Sequence, residues 1–163
     1  MPGARVKGAR ILKGSPADIK ASALKLLSYR ARSKKEMAEK LQRKGFDSGQ
    51  IDVVIKLLEN AGLINDKALA SDLFRYSVER KSLGKKGIRV FLAGRGIERK
   101  LIDETLSTHS SELEENAALE FVERKLKTLK KYPPEVIKRR LWGMLQRRGY
   151  SSEVIIKTIN SVL

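Results

Sequence analysis

The sequence has no cysteine, one histidine and one tryptophan. Without cysteine there are no disulfides, no thiolate metal sites and no cysteine nucleophile, and a reducing compartment is permitted. The lone histidine, His109 in THSSELEE, has no companion at metal-ligand spacing. No metal site and no cofactor are expected, and His109 reads as a solvent-facing side chain near a helix start. Asp66 and Asp72 read as a helix cap and an exposed helix residue rather than a carboxylate pair, so no catalytic residue is assigned and a binding protein is expected instead of an enzyme. No apolar run approaches the roughly 20 residues that span a bilayer. The N-terminal MPGARVKGARILKG also lacks the apolar core of a signal peptide. A cytoplasmic protein without membrane association is expected.

Acidic residues are the other shortage: 19 Asp and Glu stand against 35 Lys and Arg, a formal charge of +16 over 163 residues. Such an excess implies a polyanion or a strongly acidic protein surface as partner. Its placement is banded. Residues 30–44 carry +5, 75–100 carry +7 and 133–150 carry +4, while the rest of the chain cancels. With 41% hydrophobic residues the chain is that of a folded protein, not a disordered one.

The three bands share a phrase: LQRKGF at 41–46, LAGRGI at 92–97 and LQRRGY at 145–150. Taking Gly45, Gly96 and Gly149 as origins, spaced 51 and 53 residues apart, an apolar residue stands eight before (Met37, Ile88, Leu141), four before (Leu41, Leu92, Leu145) and one after (Phe46, Ile97, Tyr150). Spacing of four puts each pair on one helix face, so each glycine ends a helix with a buried stripe. Basic residues keep the same register, at Lys34-Lys35, Lys85-Lys86 and Lys138-Arg139, and again at Lys44, Arg95 and Arg148.

Two further helices per unit complete the pattern. In the first unit Leu24 and Leu27 mark one helix and Ser33-x-x-Glu36 is a capping box for the next. Asp47 or Ser48 caps a third, with Ile51, Val54, Ile55 and Leu58 inward and Gly62 at its end. The second unit repeats the plan over 66–81, 84–95 and 98–106, with Asn65 or Asp66 as first cap. In the third, Ser111-x-x-Glu114 is read as a capping box, Pro133-Pro134 opens a helix ending at Arg148, and Ser151 caps the last one. No segment alternates like a strand. The predicted fold is all-α, with tandem three-helix repeats over 18–64, 65–108 and 109–163 (three units, about nine helices), stacked in an elongated array that can curve, after a flexible basic segment at 1–17. A monomer is expected.

Lys44, Arg95 and Arg148, in the last turns, favour the negative end of each helix dipole and read as structural, with stems over the core and heads outward. Lys35, Lys86 and Arg139 differ. They point about 160° from the apolar residues at 100° per residue, and they lie near helix starts where the dipole disfavours cations. The plain reading is a soluble face; the functional one is a repeated contact with phosphates or acidic side chains. Arg43, Arg89 and Arg147 extend this surface, as do Arg75, Arg80 and Arg140. Trp142 is a candidate for stacking on a base or guanidinium, with packing between units as its plainer role. LGKKGI lacks the spacing and preceding strand of a phosphate-cradling loop. FLAGRGIERKLI is only a weak match to a helix-hairpin-helix DNA-binding element.

Three stretches occur in order along the chain: SYRARSKKEMAEKLQRKGF in the first unit, GLINDKALASDLFRYSVERKSLGKKGIRVFLAGRGI at 62–97 and RRLWGMLQRRGY in the last. Through them, over about residues 20–163, the chain resembles the RecX family of bacterial recombinase regulators. The resemblance implies a cytosolic protein without a catalytic centre, acting in DNA repair, recombination and the SOS response. Such a protein binds RecA and its filament on single-stranded DNA, inhibiting or modulating strand exchange, ATP hydrolysis and filament growth. The basic faces would then meet acidic RecA surfaces, single-stranded or duplex DNA phosphates, or both. The alternative is a nonspecific DNA-binding protein with no recombinase partner.

Overall fold

The computed structural model describes residues 14–163. Of the segment expected to be flexible at 1–17, residues 1–13 lie outside the described residues, and Ser15 already caps the first helix. Nine helices and no strand are found among the described residues: α1 (Pro16–Tyr29), α2 (Lys34–Arg43), α3 (Ser48–Asn60), α4 (Asp66–Glu79), α5 (Lys85–Gly94), α6 (Arg99–Ser107), α7 (Ser111–Leu129), α8 (Pro134–Arg147) and α9 (Ser152–Val162). The all-α plan of three helices per unit is thus the observed one.

Local chemistry sets the boundaries. Ser33 and Glu36 form the expected capping box, Asp47 accepts the amide of Gln50, and Ser151 accepts that of Val154. Asn65 accepts the amide of Ala68, which makes it the cap before Asp66. At the start of α7 the reading is corrected by one residue: Ser110, not Ser111, accepts the amide of Leu113. Glu114 does not reach back to its own helix start, because its carboxylate is drawn to the backbone of Lys85.

The three repeated stops are one motif. Gly45, Gly96 and Gly149 have φ of 88°, 74° and 82°. The glycine N–H donates three residues back, to Gln42, Ala93 and Gln146, and the next residue donates to Leu41, Leu92 and Leu145. This paired bonding satisfies carbonyls a helix end leaves orphaned and brings the residue after the glycine onto the preceding leucine. All six stripe residues, Met37, Leu41, Ile88, Leu92, Leu141 and Leu145, are fully buried. At about 1.5–3 kcal/mol for burying each such side chain, the stripe is a main source of stability.

The chain divides into two compact units, the first ending at Leu69 and the second beginning at Ala70. In the first, α1, α2 and α3 pack on one another around Ile19, Ala23, Met37, Leu41, Ile51, Val54, Ile55, Leu58 and Ile64. The second unit has a core built by α7, α8 and α9 around Phe121, Val122, Leu141, Leu145, Tyr150, Ile155 and Ile159, while α5 and α6 pair through Ile88, Leu92, Ile97 and Ile102.

Within the second unit the start of α5 is joined directly to the end of α8. The Gly84 amide donates to the Arg148 carbonyl at 3.0 Å, and the Lys86 amide donates to the Gly149 carbonyl at 3.2 Å. A Cβ at Gly87 would lie 2.1 Å from the Arg148 oxygen, and one at Gly149 would lie 2.1 Å from the Gly87 nitrogen. The glycines of LGKKGI therefore let two backbones touch.

Candidate polyanion-binding surface

Two adjacent register positions, eleven and ten before the repeat glycine, part company in the structure. Lys34 and Lys85 are half-buried first residues of α2 and α5. Lys34 Nζ pairs with Glu59 at 3.1 Å, and its amide donates to the Asp66 carboxylate at 3.0 Å. Lys85 Nζ lies 3.8 Å from Glu114, whose other oxygen accepts the Lys85 amide at 2.8 Å. A carboxylate at each helix start answers both the positive end of the dipole and the lysine that dipole disfavours. Their neighbours Lys35 and Lys86 are exposed and have no ion pair among the described residues; the same holds for Arg139.

The third unit departs from the pattern. α8 opens at Pro134, a turn earlier than α2 and α5 relative to the glycine, so Lys138 lies in the second turn, fully outside the capping geometry, and is exposed beside Arg139.

The remaining basic candidates are placed as follows. Arg43, Arg80 and Arg147 are exposed, with Arg43 4.0 Å from Glu39. Arg75 pairs with Asp72 at 2.7 Å and Arg89 with Asp103, and both pairs are exposed. The Arg140 guanidinium lies 3.9 Å from the centroid of the Tyr132 ring. Trp142 is half-buried on the core of α7, α8 and α9, within its own unit.

Arg148 does not direct its head outward as its register suggested. Its guanidinium stands 4.1 Å from the Phe121 ring centroid, and burial lowers its pKa, as do Arg147 and Arg124, while Tyr150 acts the other way. Because the Lys86 amide is bonded to Gly149, the pairs Lys85-Lys86 and Arg147-Arg148 come together, although about sixty residues separate them in the chain. Arg124, which donates to the Ser82 hydroxyl at 2.8 Å, adds a cation nearby. No sequence signal linked these residues: spacing within one repeat says nothing about which ends of different helices meet.

His109 is a correction. It is 5% exposed, with its ring edge-on to Phe74 at 5.2 Å between centroids and Nε2 without a hydrogen-bond partner among the described residues. The short turn after α6, closed by the His109 amide on the Leu106 carbonyl, points the ring inward. Burial lowers its pKa, opposed by the Glu114 carboxylate and reinforced by Lys85. A pair the sequence reading passed over is Tyr76 and Phe91, on α4 and α5, whose rings lie 6.2 Å apart under the ammonium of Lys81. The signal available was RYSVERK, an aromatic between basic residues.

Among the described residues no group of three or more His, Cys, Asp and Glu could hold a metal ion, and no helix is long and apolar enough to cross a membrane. The features define an all-helical protein of tandem three-helix units with cations displayed at repeated positions. Comparison with known proteins takes the identification further. Family models for the first and third three-helix domains of RecX match residues 20–58 and 113–159. The chain is 30% identical to a regulatory protein RecX of Streptomyces coelicolor, over 99% of this chain and 88% of that protein. It is 35% identical to one of Chlorobaculum tepidum, over 86% of each. A crystal structure of RecX from Lactobacillus salivarius superposes with a TM-score of 0.78 at 23% identity, covering 90% of this chain and 96% of that one. The chain belongs to the RecX family.

Proposed function

We propose that this protein regulates the RecA recombinase without catalysis, by binding RecA and its filaments on single-stranded DNA through the repeated basic positions. Family membership supports RecA as the partner, and the observation that carries the surface is the shared exposure of Lys35, Lys86 and Arg139 at one register position. Three units at 18–64, 65–108 and 109–163 would each contribute a weak contact, and linked contacts add through effective concentration. A cytoplasmic monomer suffices for this. Docking in this way blocks duplex access and opposes filament growth, which lowers strand exchange and the accompanying ATP hydrolysis.

The experiment is strand exchange together with filament length, using Lys35→Glu, Lys86→Glu and Arg139→Glu combined. Loss of inhibition is the expected result, and unchanged inhibition removes this face from the mechanism. Titration against preformed filaments and free DNA at matched salt separates a recombinase partner from plain DNA binding, which predicts no effect beyond competition for DNA.

A further inference from the structure

Tyr76 and Phe91 belong to neither hydrophobic core, yet they form a tilted ring pair with centroids 6.2 Å apart and planes at 33°. Tyr76 is 48% exposed and Phe91 half-buried. The Lys81 ammonium stands 5.7 Å from the first centroid and 5.2 Å from the second, so both rings present an electron-rich face that a polar cation can reach from water. Arg80, just past the end of α4, donates its amide to the Tyr76 carbonyl, and residues 75–100 carry a net +7. Asp72, the carboxylate a turn before Tyr76, is already engaged by Arg75 at 2.7 Å.

A flat, accessible π-face with a lysine ammonium over it, in a segment of strong positive charge, matches one chemistry well: an unpaired nucleobase stacks on the ring while its phosphates meet the cations. We propose that Tyr76 and Phe91 form a stacking platform for a base of single-stranded nucleic acid. Lys81 is the mobile cover. A base displaces its ammonium from the rings, and the freed charge turns to the adjoining phosphate. Duplex DNA, whose bases are stacked internally, has no face to offer. This assignment does not depend on the recombinase reading, because it is measured on free oligonucleotides.

The test is fluorescence anisotropy of the full chain with a labelled oligonucleotide of about 16 thymidines, an abasic strand of equal length and a duplex, all at matched salt. Tyr76→Ala should weaken thymidine-strand binding roughly tenfold, as expected for one lost stacked base, and Tyr76→Phe should restore it. Phe91→Leu should weaken it in the same direction. The duplex affinity and the salt slope should stay unchanged, and the wild-type chain should bind the abasic strand as weakly as Tyr76→Ala binds thymidines. The proposal is overturned if the alanine variant loses strand and duplex binding alike, if the abasic strand binds as tightly as the thymidine strand, or if strand binding is absent or unaffected. A variant that binds oligonucleotides normally but recombinase filaments poorly would make the platform a protein contact and also overturn it.

Discussion

The Glu114 carboxylate accepts the backbone N–H of Lys85 at 2.8 Å, and its second oxygen stands 3.8 Å from the ammonium of the same lysine. Asp66 meets the Lys34 amide at 3.0 Å in the corresponding place of the first unit. A carboxylate early in α4 or α7 thus caps the second helix of the preceding triplet. Glycine at position 84 offers α5 no side-chain cap, which is why the acceptor comes from a distant helix.

Glu114→Ala should therefore cost about 2 kcal/mol, since it strands a partly buried donor, whereas Glu114→Gln, which keeps an oxygen for the amide, should cost about half as much. Denaturant unfolding followed by circular dichroism measures both. Equal, small effects would show that water caps α5 adequately.

Three glycine-to-alanine changes separate conformational strain from lost space. Gly94 is helical, with nothing near an added Cβ, so Gly94→Ala should stabilise by roughly 0.5–1 kcal/mol. Gly62 has φ of 72° and open space around it, so its replacement should cost about 1 kcal/mol from the left-handed backbone alone. Gly149 combines φ of 82° with a Cβ position 2.1 Å from the Gly87 nitrogen, and Gly149→Ala should cost about 3 kcal/mol or more. Thermal melts of the three variants should rank in this order.

The same residues show how far the sequence could be read. Periodicity of four and a terminal glycine are local properties, so the buried pairs from Met37 to Leu145 and the three stops at Gly45, Gly96 and Gly149 were legible. Capping is nearly so: at Ser110-Ser111 two equivalent hydroxyls compete, and the choice falls one residue from the reading. What was not legible is tertiary. Lys34 and Lys35 are equally basic on paper, and only the arrival of Glu59 and Asp66 makes one of them half-buried and paired. His109 looked like a polar linker residue because nothing local announces Phe74, which lies 35 positions earlier and covers its ring.

That burial has a pH consequence. The folded-state pKa of His109 lies below its ordinary value of 6.5, with desolvation as the largest cause. Well above pH 6.5 neither the folded nor the unfolded chain protonates it, and it has no effect on the pH slope. As pH falls below that value the unfolded chain takes up a proton the folded chain resists, so stability declines until the folded pKa is reached. Melting temperature measured across this window should drop with acid, and His109→Leu should flatten the profile there without altering it at neutral pH. Glu114 and Lys85 face the ring and should be left intact, as their own removal would move the same profile.

The division between paired and unpaired lysines makes the last prediction the most discriminating. Lys34→Gln with Lys85→Gln removes two partly shielded ion pairs, which should cost at most about 1 kcal/mol each; it lowers the net charge by as much as the second double variant does, but the lysines it removes are engaged by Glu59 and Glu114 and so are not free to meet a phosphate. Lys35→Gln with Lys86→Gln removes two exposed cations without a described ion pair and should leave stability within about 0.5 kcal/mol. Binding to a polyanion should respond in the opposite sense. If both exposed lysines meet phosphates of a single strand, the slope of log affinity against log salt should fall by about 1.4 for the second pair, at about 0.7 for each contact, and stay nearly constant for the first. Equal slopes for the two variants would mean that the ligand reads only the summed charge, in which case the shared register of Lys35 and Lys86 is a consequence of helix repetition and not of recognition.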